Sequence, residues 1–220
     1  MLTALGKVKH IGLDFDGVIV NSNFKFASEF TTIGKNLTGR DVSFETVFSI
    51  WGKTIHELLL DLYPEIDLVE YLEERKKLGF DQVFPDIFPG VVESLKILSK
   101  KFYISIITNR EYLTLFEIIE KLDIDIDLFE HIQSSDETPF SKPDPRVFDD
   151  FLVAYRAQEM IYIGDHHLVD YQAAYGAGIH FIGVLSGGIS TREDFIGAGV
   201  PRKMILNSLA DVPNHLGISA

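Results

Sequence analysis

The stretch Gly12-Leu13-Asp14-Phe15-Asp16-Gly17-Val18 decides how this chain folds, because it ends an apolar, β-prone run with two carboxylates two residues apart. Alternate strand residues share a face, so Asp14 and Asp16 start on one face, and Gly17 allows the chain to turn. At an effective dielectric of about 20, two unit charges about 5 Å apart repel by about 3 kcal/mol. The pair therefore requires a bound cation, a shared proton, or both.

Further apolar runs predict a parallel sheet. Four of them have the pattern of buried strands: His10–Asp14, Tyr103–Thr108, Met160–Gly164 and His180–Leu185. Two shorter runs are weaker strand candidates: Phe129–Gln133 and Met204–Leu206. Helical patterns separate most of these runs, which is typical of βαβ units. The sequence predicts an α/β fold with a doubly wound, Rossmann-like parallel sheet.

The segment 21–84 has a different pattern. It contains no comparable strand and instead shows helical periodicity over three stretches: Phe24–Leu37, Ile55–Leu62 and Val69–Leu78. An insertion of roughly sixty residues is long for an ordinary crossover connection. We therefore expect an inserted, all-helical cap over 21–84, and a core formed by 1–20 and 85–220.

Charge and composition exclude several classes of function. The formal net charge of -13 opposes binding to nucleic acid or to an anionic membrane surface. The chain has no cysteine, which excludes disulfides, thiolate metal sites and a cysteine nucleophile. Its first residues, Met1–Lys7, are too short and polar for a signal peptide, and no apolar run reaches the roughly 18 residues of a membrane span. We expect a soluble, cytoplasmic protein.

Polar residues follow the predicted strands at the end where ligands of open α/β sheets bind. Asp14 and Asp16 follow the first strand, Thr108-Asn109-Arg110 the second, and Asp165 the strand Met160–Gly164. Asp170 lies five residues after Asp165, and Lys142 precedes that strand within Ser141-Lys142-Pro143-Asp144-Pro145. We expect these acids, the hydroxyl and the lysine to converge on one edge of the sheet.

Taken in order, these motifs resemble those of the haloacid dehalogenase superfamily. They are Asp14-Phe15-Asp16-Gly17-Val18, Thr108 at the end of a strand, Lys142 before Pro143-Asp144-Pro145, and Gly164-Asp165 with Asp170. A helical cap after the first motif resembles the subgroup of phosphoglycolate phosphatases and β-phosphoglucomutases. The resemblance extends over nearly the whole chain.

The resemblance implies a role for each matched residue. Asp14 is the expected nucleophile, and Asp16 the general acid that protonates the leaving group and then activates water. Mg²⁺ is the expected cofactor, held by Asp14, the main-chain carbonyl of Asp16, Asp165 and Asp170. The interval between the last two acids is five residues rather than the four that is frequent in the family, so Asp170 acts either directly or through water.

Binding of the phosphoryl group is expected from Thr108, the Asn109 backbone N–H and Lys142. In the cap, Gly52 and Lys53 belong to Trp51-Gly52-Lys53-Thr54, which resembles the specificity loop of capped relatives; an ordinary helix–helix turn is the alternative. Arg110 contacts substrate or pairs with an acid, and the sequence leaves both open. His166 and His167 are adjacent and cannot easily share one metal ion, so we expect them at the mouth of the site.

The leading functional prediction is a Mg²⁺-dependent phosphatase that acts on a small, phosphoglycolate-like phosphorylated metabolite through an aspartyl-phosphate. A sugar phosphomutase of the β-phosphoglucomutase type uses the same aspartate pair and is the alternative. A non-catalytic binding protein is a third, weaker hypothesis. The expected oligomeric state is a monomer or a homodimer, with no nucleic-acid or membrane partner.

Overall fold

A parallel sheet of six strands forms the centre of the computed structural model, which describes residues 7–218. The strands are β1 (His10–Leu13), β2 (Tyr103–Ile107), β3 (His131–Gln133), β4 (Met160–Gly164), β5 (His180–Val184) and β6 (Ile205–Leu206). Their order, β3-β2-β1-β4-β5-β6, reverses direction beside β1, which is the arrangement of a doubly wound sheet. The predicted α/β fold class is confirmed.

Strand β1 lies in the middle of the sheet and is buried along its whole length. Leu13, its last residue, is level with Ile106 of β2 and with Ile163 of β4. This register brings the carboxyl ends of three neighbouring strands to the same height. The residues that follow these strands therefore begin at one edge of the sheet.

Short helices connect the strands of the core. They are α5 (Val91–Ser99), α6 (Tyr112–Lys121), α7 (Asp149–Ala154), α8 (Asp170–Gly176), α9 (Arg192–Ala198) and α10 (Val212–His215). Six 3₁₀ turns complete the connections: Phe80–Gln82, Ile126–Leu128, Pro145–Phe148, Ala157–Glu159, Arg202–Met204 and Leu209–Asp211. Within residues 7–218, none of the helices combines the length and apolar character that crossing a membrane requires.

Four further helices lie between β1 and α5, in the segment predicted as a cap. They are α1 (Asn23–Thr38), α2 (Phe44–Ser49), α3 (Ile55–Leu62) and α4 (Leu68–Lys77). Helices α1, α3 and α4 match the predicted stretches within a residue of their bounds. Helix α2 was not predicted because it buries a single residue, Val47, and so lacks a periodic signal.

The two ends of this segment leave and re-enter the core side by side. Val20 and Ile87 form an antiparallel bridge, and the Asn21 backbone N–H donates to the Asp86 carbonyl at 2.8 Å. The helices between them share an aromatic cluster of their own. In it the Phe30 ring lies 5.6 Å from Tyr71, 5.7 Å from Tyr63 and 6.4 Å from Trp51, centroid to centroid. Close return of the chain is what an inserted domain requires, and we keep 21–84 as its proposed limits.

Candidate active site

Three carboxylates meet at the carboxyl edge of the sheet. Asp14 follows β1, Asp165 follows the adjacent β4, and Asp170 is the first residue of α8. One oxygen atom from each lies within 4.8 Å of the others. The side chains are buried, with residue exposures of 9%, 2% and 0% respectively. The cluster therefore lies where the strand ends predicted it.

The Lys142 side chain contacts two of these carboxylates. Its Nζ atom lies 2.9 Å from Asp14 Oδ1 and 2.7 Å from Asp170 Oδ1. It also donates to the Tyr162 hydroxyl at 2.7 Å, and that hydroxyl donates to the Ile107 carbonyl at 2.7 Å. The ammonium group is thus fully buried and fixed from three sides, since Tyr162 is itself a core residue of β4.

The charges of this cluster do not balance. Three carboxylates face one ammonium, which leaves a deficit of two positive charges if all three are ionised. Burial raises the pKa of Asp14 to about 7, with Asp170 and Asp16 adding to the shift and Lys142 opposing it. Burial also raises the pKa of Asp165 well above its usual value, and Asp170 and Asp14 add to this. A set of oxygen ligands that lacks positive charge fits a hard divalent cation such as Mg²⁺.

Asp170 has two defined partners. Its Oδ1 atom accepts from Lys142, and its Oδ2 atom accepts from the His166 backbone N–H at 3.0 Å. Val169, not Asp170, occupies the N-cap position of α8. The Asp170 carboxylate therefore does not cap α8, and it faces the cluster.

The second motif acid, Asp16, forms an ion pair with Arg110. Arg110 Nε donates to Asp16 Oδ2 at 2.8 Å, and Arg110 Nη2 donates to Asp16 Oδ1 at 2.7 Å. The Ser22 hydroxyl also donates to Oδ1. The sequence left open whether Arg110 contacts substrate or pairs with an acid; in the structure it pairs with Asp16.

Thr108 and Asn109 follow β2 beside these groups. The buried Thr108 hydroxyl accepts from the Arg110 backbone N–H at 3.2 Å, and Thr108 lines the same cleft as Asp14. The Asn109 side chain donates to the carbonyls of Gly52 and Lys142, both at 2.8 Å, and accepts from the Lys142 N–H at 2.9 Å. This amide therefore connects the cap loop to the lysine loop, and only the Asn109 backbone N–H remains a candidate for binding substrate.

The loop 51–54 is seated directly on the core. Glu111 accepts from the Ile55 N–H at 3.0 Å, which adds to the contact between Asn109 and Gly52. Gly52 has a φ of +103°, and a Cβ there would lie 2.9 Å from the His166 ring, so glycine is required. Lys53 pairs with Asp61 at 2.5 Å, and both Gly52 and Lys53 line the cleft.

Asn23 is a site residue that the sequence did not reveal. Its Nδ2 atom donates to Asp165 Oδ2 at 2.7 Å, and its Oδ1 atom accepts from Trp51 Nε1 at 3.3 Å. A cap tryptophan thus reaches a candidate metal ligand through one buried amide. Gly17 passes so close to the same carboxylate that a Cβ at this position would collide with it.

The cleft has two unlike walls. The core contributes the acids, Thr108 and Arg110. The cap segment contributes two cations, Lys53 and Arg75, and a mostly apolar surface: Phe26, Trp51, Ile55, Tyr71 and Leu72. Between the walls lies a cavity of about 70 Å³ that opens to solvent. His166 lines this cleft, while His167 Nδ1 lies 2.9 Å from the Ser190 hydroxyl.

Comparison with known proteins agrees with this arrangement. The family model described as haloacid dehalogenase-like hydrolase matches residues 11–184. A phosphoglycolate phosphatase from Nitrosospira multiformis is 28% identical over 79% of this chain and 81% of its own length. A glyceraldehyde 3-phosphate phosphatase from Pyrococcus furiosus is 34% identical over 41% of this chain and 39% of its own.

Solved structures show the same fold. A hydrolase from Pseudomonas syringae superposes with a TM-score of 0.76 at 22% identity, over 96% of this chain and 98% of that one. A β-phosphoglucomutase from Clostridium difficile gives a TM-score of 0.74 at 18% identity, over 96% and 97% of the two chains. With the four motifs at one sheet edge and the family model spanning the first five strands, this chain belongs to the haloacid dehalogenase-like hydrolases.

Proposed function

We propose that this protein is a Mg²⁺-dependent phosphatase that hydrolyses a small, phosphoglycolate-like phosphate monoester through an aspartyl-phosphate on Asp14. One observation carries the proposal: Asp14 lies 2.9 Å from the buried Lys142 in a carboxylate cluster that is short of positive charge. A site of this kind suits a cation and an anionic phosphoryl group together. The Nitrosospira and Pyrococcus relatives, both described as phosphatases of small phosphorylated molecules, support the same reaction class.

The two oxygens of Asp14 have different surroundings. Oδ1 accepts from the Phe15 backbone N–H at 2.8 Å and from Lys142. Oδ2 has no hydrogen-bond partner among the described residues, and we take it as the oxygen that attacks phosphorus. The new Oδ2–phosphorus bond forms while the ester bond breaks, and the electron pair of that bond leaves with the alkoxide.

Neighbouring groups would stabilise the transferring phosphoryl group. Lys142 supplies a fixed positive charge, and the Thr108 hydroxyl can donate to a phosphoryl oxygen. Mg²⁺, held by Asp14, Asp165, the Asp16 carbonyl and Asp170, directly or through water, would neutralise charge on the phosphoryl oxygens when bound. Water then attacks the aspartyl-phosphate, which releases phosphate and restores Asp14.

Asp16 would handle the protons of both steps, giving one to the leaving alkoxide and taking one from the attacking water. Lys53 and Gly52, on the cap side of the cleft, would contact the leaving alcohol. The remaining parts of the proposal are a cytoplasmic location and a monomeric or homodimeric state.

A panel of phosphate esters, assayed with Mg²⁺ and with EDTA, tests this function. The panel includes 2-phosphoglycolate, glyceraldehyde 3-phosphate and β-glucose 1-phosphate, and the Asp14→Asn variant is the control. We expect release of inorganic phosphate that requires both Mg²⁺ and Asp14. Interconversion of sugar phosphates without net release would identify a phosphomutase instead, and binding without turnover would identify a binding protein.

A further inference from the structure

Two arginines lie against one aromatic ring in the cleft. The guanidinium carbon of Arg110 is 4.4 Å from the Phe26 ring centroid, and that of Arg75 is 5.9 Å from it. Both arginines line the cleft, and Arg75 is 8% exposed. Arg110 comes from the core and Arg75 from cap helix α4, so the pair spans the two walls next to Asp16.

Neither guanidinium uses all of its donors. Arg110 donates through Nε and Nη2 to Asp16, while its Nη1 atom donates to none of the described residues. Arg75 donates one hydrogen bond, from Nη2 to the Phe80 carbonyl at 3.2 Å. It also forms ion pairs with Glu29, at 3.4 Å, and with Glu117, at 3.7 Å. Unused N–H groups in a partly buried cleft favour an anionic ligand.

The bidentate contact also has a consequence for Asp16. Each of its oxygens accepts from Arg110, and Oδ1 also accepts from Ser22, so only one lone-pair site, on Oδ2, remains for a leaving group while that contact persists. A guanidinium fork fits a planar carboxylate, and a carboxylate on the substrate can compete for it. When the substrate carboxylate replaces that of Asp16, the positive charge of Arg110 stays paired with a negative charge.

We propose that Arg110 selects substrates whose leaving alcohol carries a carboxylate, by moving its bidentate contact from Asp16 to that carboxylate, with Arg75 as the second cation of the subsite. This inference rests on the proposed phosphatase function and adds the residue that determines specificity. A carboxylate-bearing substrate uncovers Asp16 at the leaving oxygen. A neutral alcohol leaves Arg110 on Asp16 and is turned over more slowly.

The test compares kcat/KM for 2-phosphoglycolate and for ethyl phosphate, which has the same two-carbon alcohol without the carboxylate. Charge-assisted hydrogen bonds correspond to a preference of roughly 10- to 100-fold for 2-phosphoglycolate in the unmodified protein. Arg110→Met is expected to remove most of that preference. Arg110→Lys, which keeps the charge but not the fork, is expected to remove part of it. Arg156→Met is the matched control: Arg156 is exposed and pairs with Glu159, so both rates should be unchanged.

Equal losses on the two substrates in Arg110→Met, with the ratio unchanged, would overturn the inference, because Arg110 would then serve only to hold Asp16. If Arg110→Met does not fold, the ratio in Arg110→Lys decides. Failure of the proposed function is distinguishable, since no ester would then release phosphate. In that event calorimetry with 2-phosphoglycolate tests the subsite: at least about tenfold weaker binding to Arg110→Lys or Arg110→Met supports it, and unchanged binding refutes it.

Discussion

The two ends of strand β1 bury polar groups in opposite ways. At the amino end, the His10 ring stacks on Tyr155 and Phe151, with ring centroids 4.8 Å and 5.4 Å away. Its Nε2 atom lies 2.9 Å from the Ser105 hydroxyl. Burial, with a smaller contribution from His131, lowers the pKa of His10 from 6.5 to about 4. His10 is therefore neutral at physiological pH.

At the carboxyl end, four residues along the same strand, burial is combined with charge. Asp14, Asp165 and Asp170 remain close together, and Lys142 is held among them although burial alone lowers the pKa of a lysine. Asp14 and Asp170 outweigh that effect and raise the pKa of Lys142. The buried polar group at the amino end is therefore uncharged and contributes to packing. At the carboxyl end, the proposed catalytic edge of the sheet, charged groups remain buried together.

The largest expected effect comes from the nucleophile. Asp14→Asn keeps the size and burial of the side chain but removes the attacking carboxylate, so kcat for phosphate release should fall by at least about 10³-fold. Urea unfolding should show that the variant still folds. Asp150→Asn, the same chemical change at an exposed position of α7, is the control. Near-normal turnover by Asp14→Asn would remove Asp14 from the mechanism.

Removal of the buried cation should damage stability as well as activity. Lys142→Met leaves Asp14 and Asp170 without their counter-charge, and loss of one partner of a buried ion pair costs about 3–5 kcal/mol of unfolding free energy. Adding Asp170→Asn to this variant should restore part of that loss. Lys96→Met on the exposed face of α5 is the control. A loss below about 1 kcal/mol in Lys142→Met would show that the charges are better solvated than the structure indicates.

At the amino end, pH is the probe. The folded-state pKa of His10 is about 4 and the ordinary value is 6.5, so the unfolded chain takes up the proton first as the pH falls. Stability from a neutral His10 is thus present above pH 6.5 and is lost between pH 6.5 and about 4. The shift corresponds to about 3 kcal/mol at the lower limit.

Urea unfolding across that range measures this effect. His10→Gln has no group that titrates there, so its unfolding free energy should fall less steeply than that of the unmodified protein. If the unfolding free energies of the two proteins fall equally with pH, protonation of His10 does not destabilise the folded protein.

The smallest effect concerns the cation. In metal-free protein, Asp165→Asn removes a buried carboxyl group whose pKa is raised by burial, and should stabilise the fold at neutral pH. Mg²⁺ at a hundred times its Kd should stabilise the unmodified protein by about 2.7 kcal/mol and the variant less. Thermal unfolding with Mg²⁺ and with EDTA measures both. If Mg²⁺ stabilises the two proteins equally, Asp165 does not bind the metal.

The sequence predicts the sheet and the meeting of Asp14, Thr108, Lys142 and Asp165 because both follow from local patterns. Apolar runs fix the strands, and parallel register then brings the residues after them together. Five of the six strands are one or two residues shorter than predicted, and helix Phe44–Ser49 was missed because one buried side chain gives no period.

Side-chain partners across long separations could not be predicted. Arg110 and Asp16 are 94 positions apart, and Asn23 and Asp165 are 142 apart. From the sequence, Tyr162 is predicted only as a core residue of β4, yet its hydroxyl accepts a hydrogen bond from Lys142 and so positions it. These contacts depend on rotamers and on how the cap segment lies against the core, and neither leaves a pattern in the sequence.

The most direct test of the account is to quench the reaction with 2-phosphoglycolate and Mg²⁺ in acid within milliseconds and to locate the phosphoryl group by peptide mass spectrometry. We predict a phosphorylated peptide that carries the modification on Asp14, present in the unmodified protein and absent from Asp14→Asn. Phosphorylation of a different residue, with Asp14 unmodified, would contradict the account.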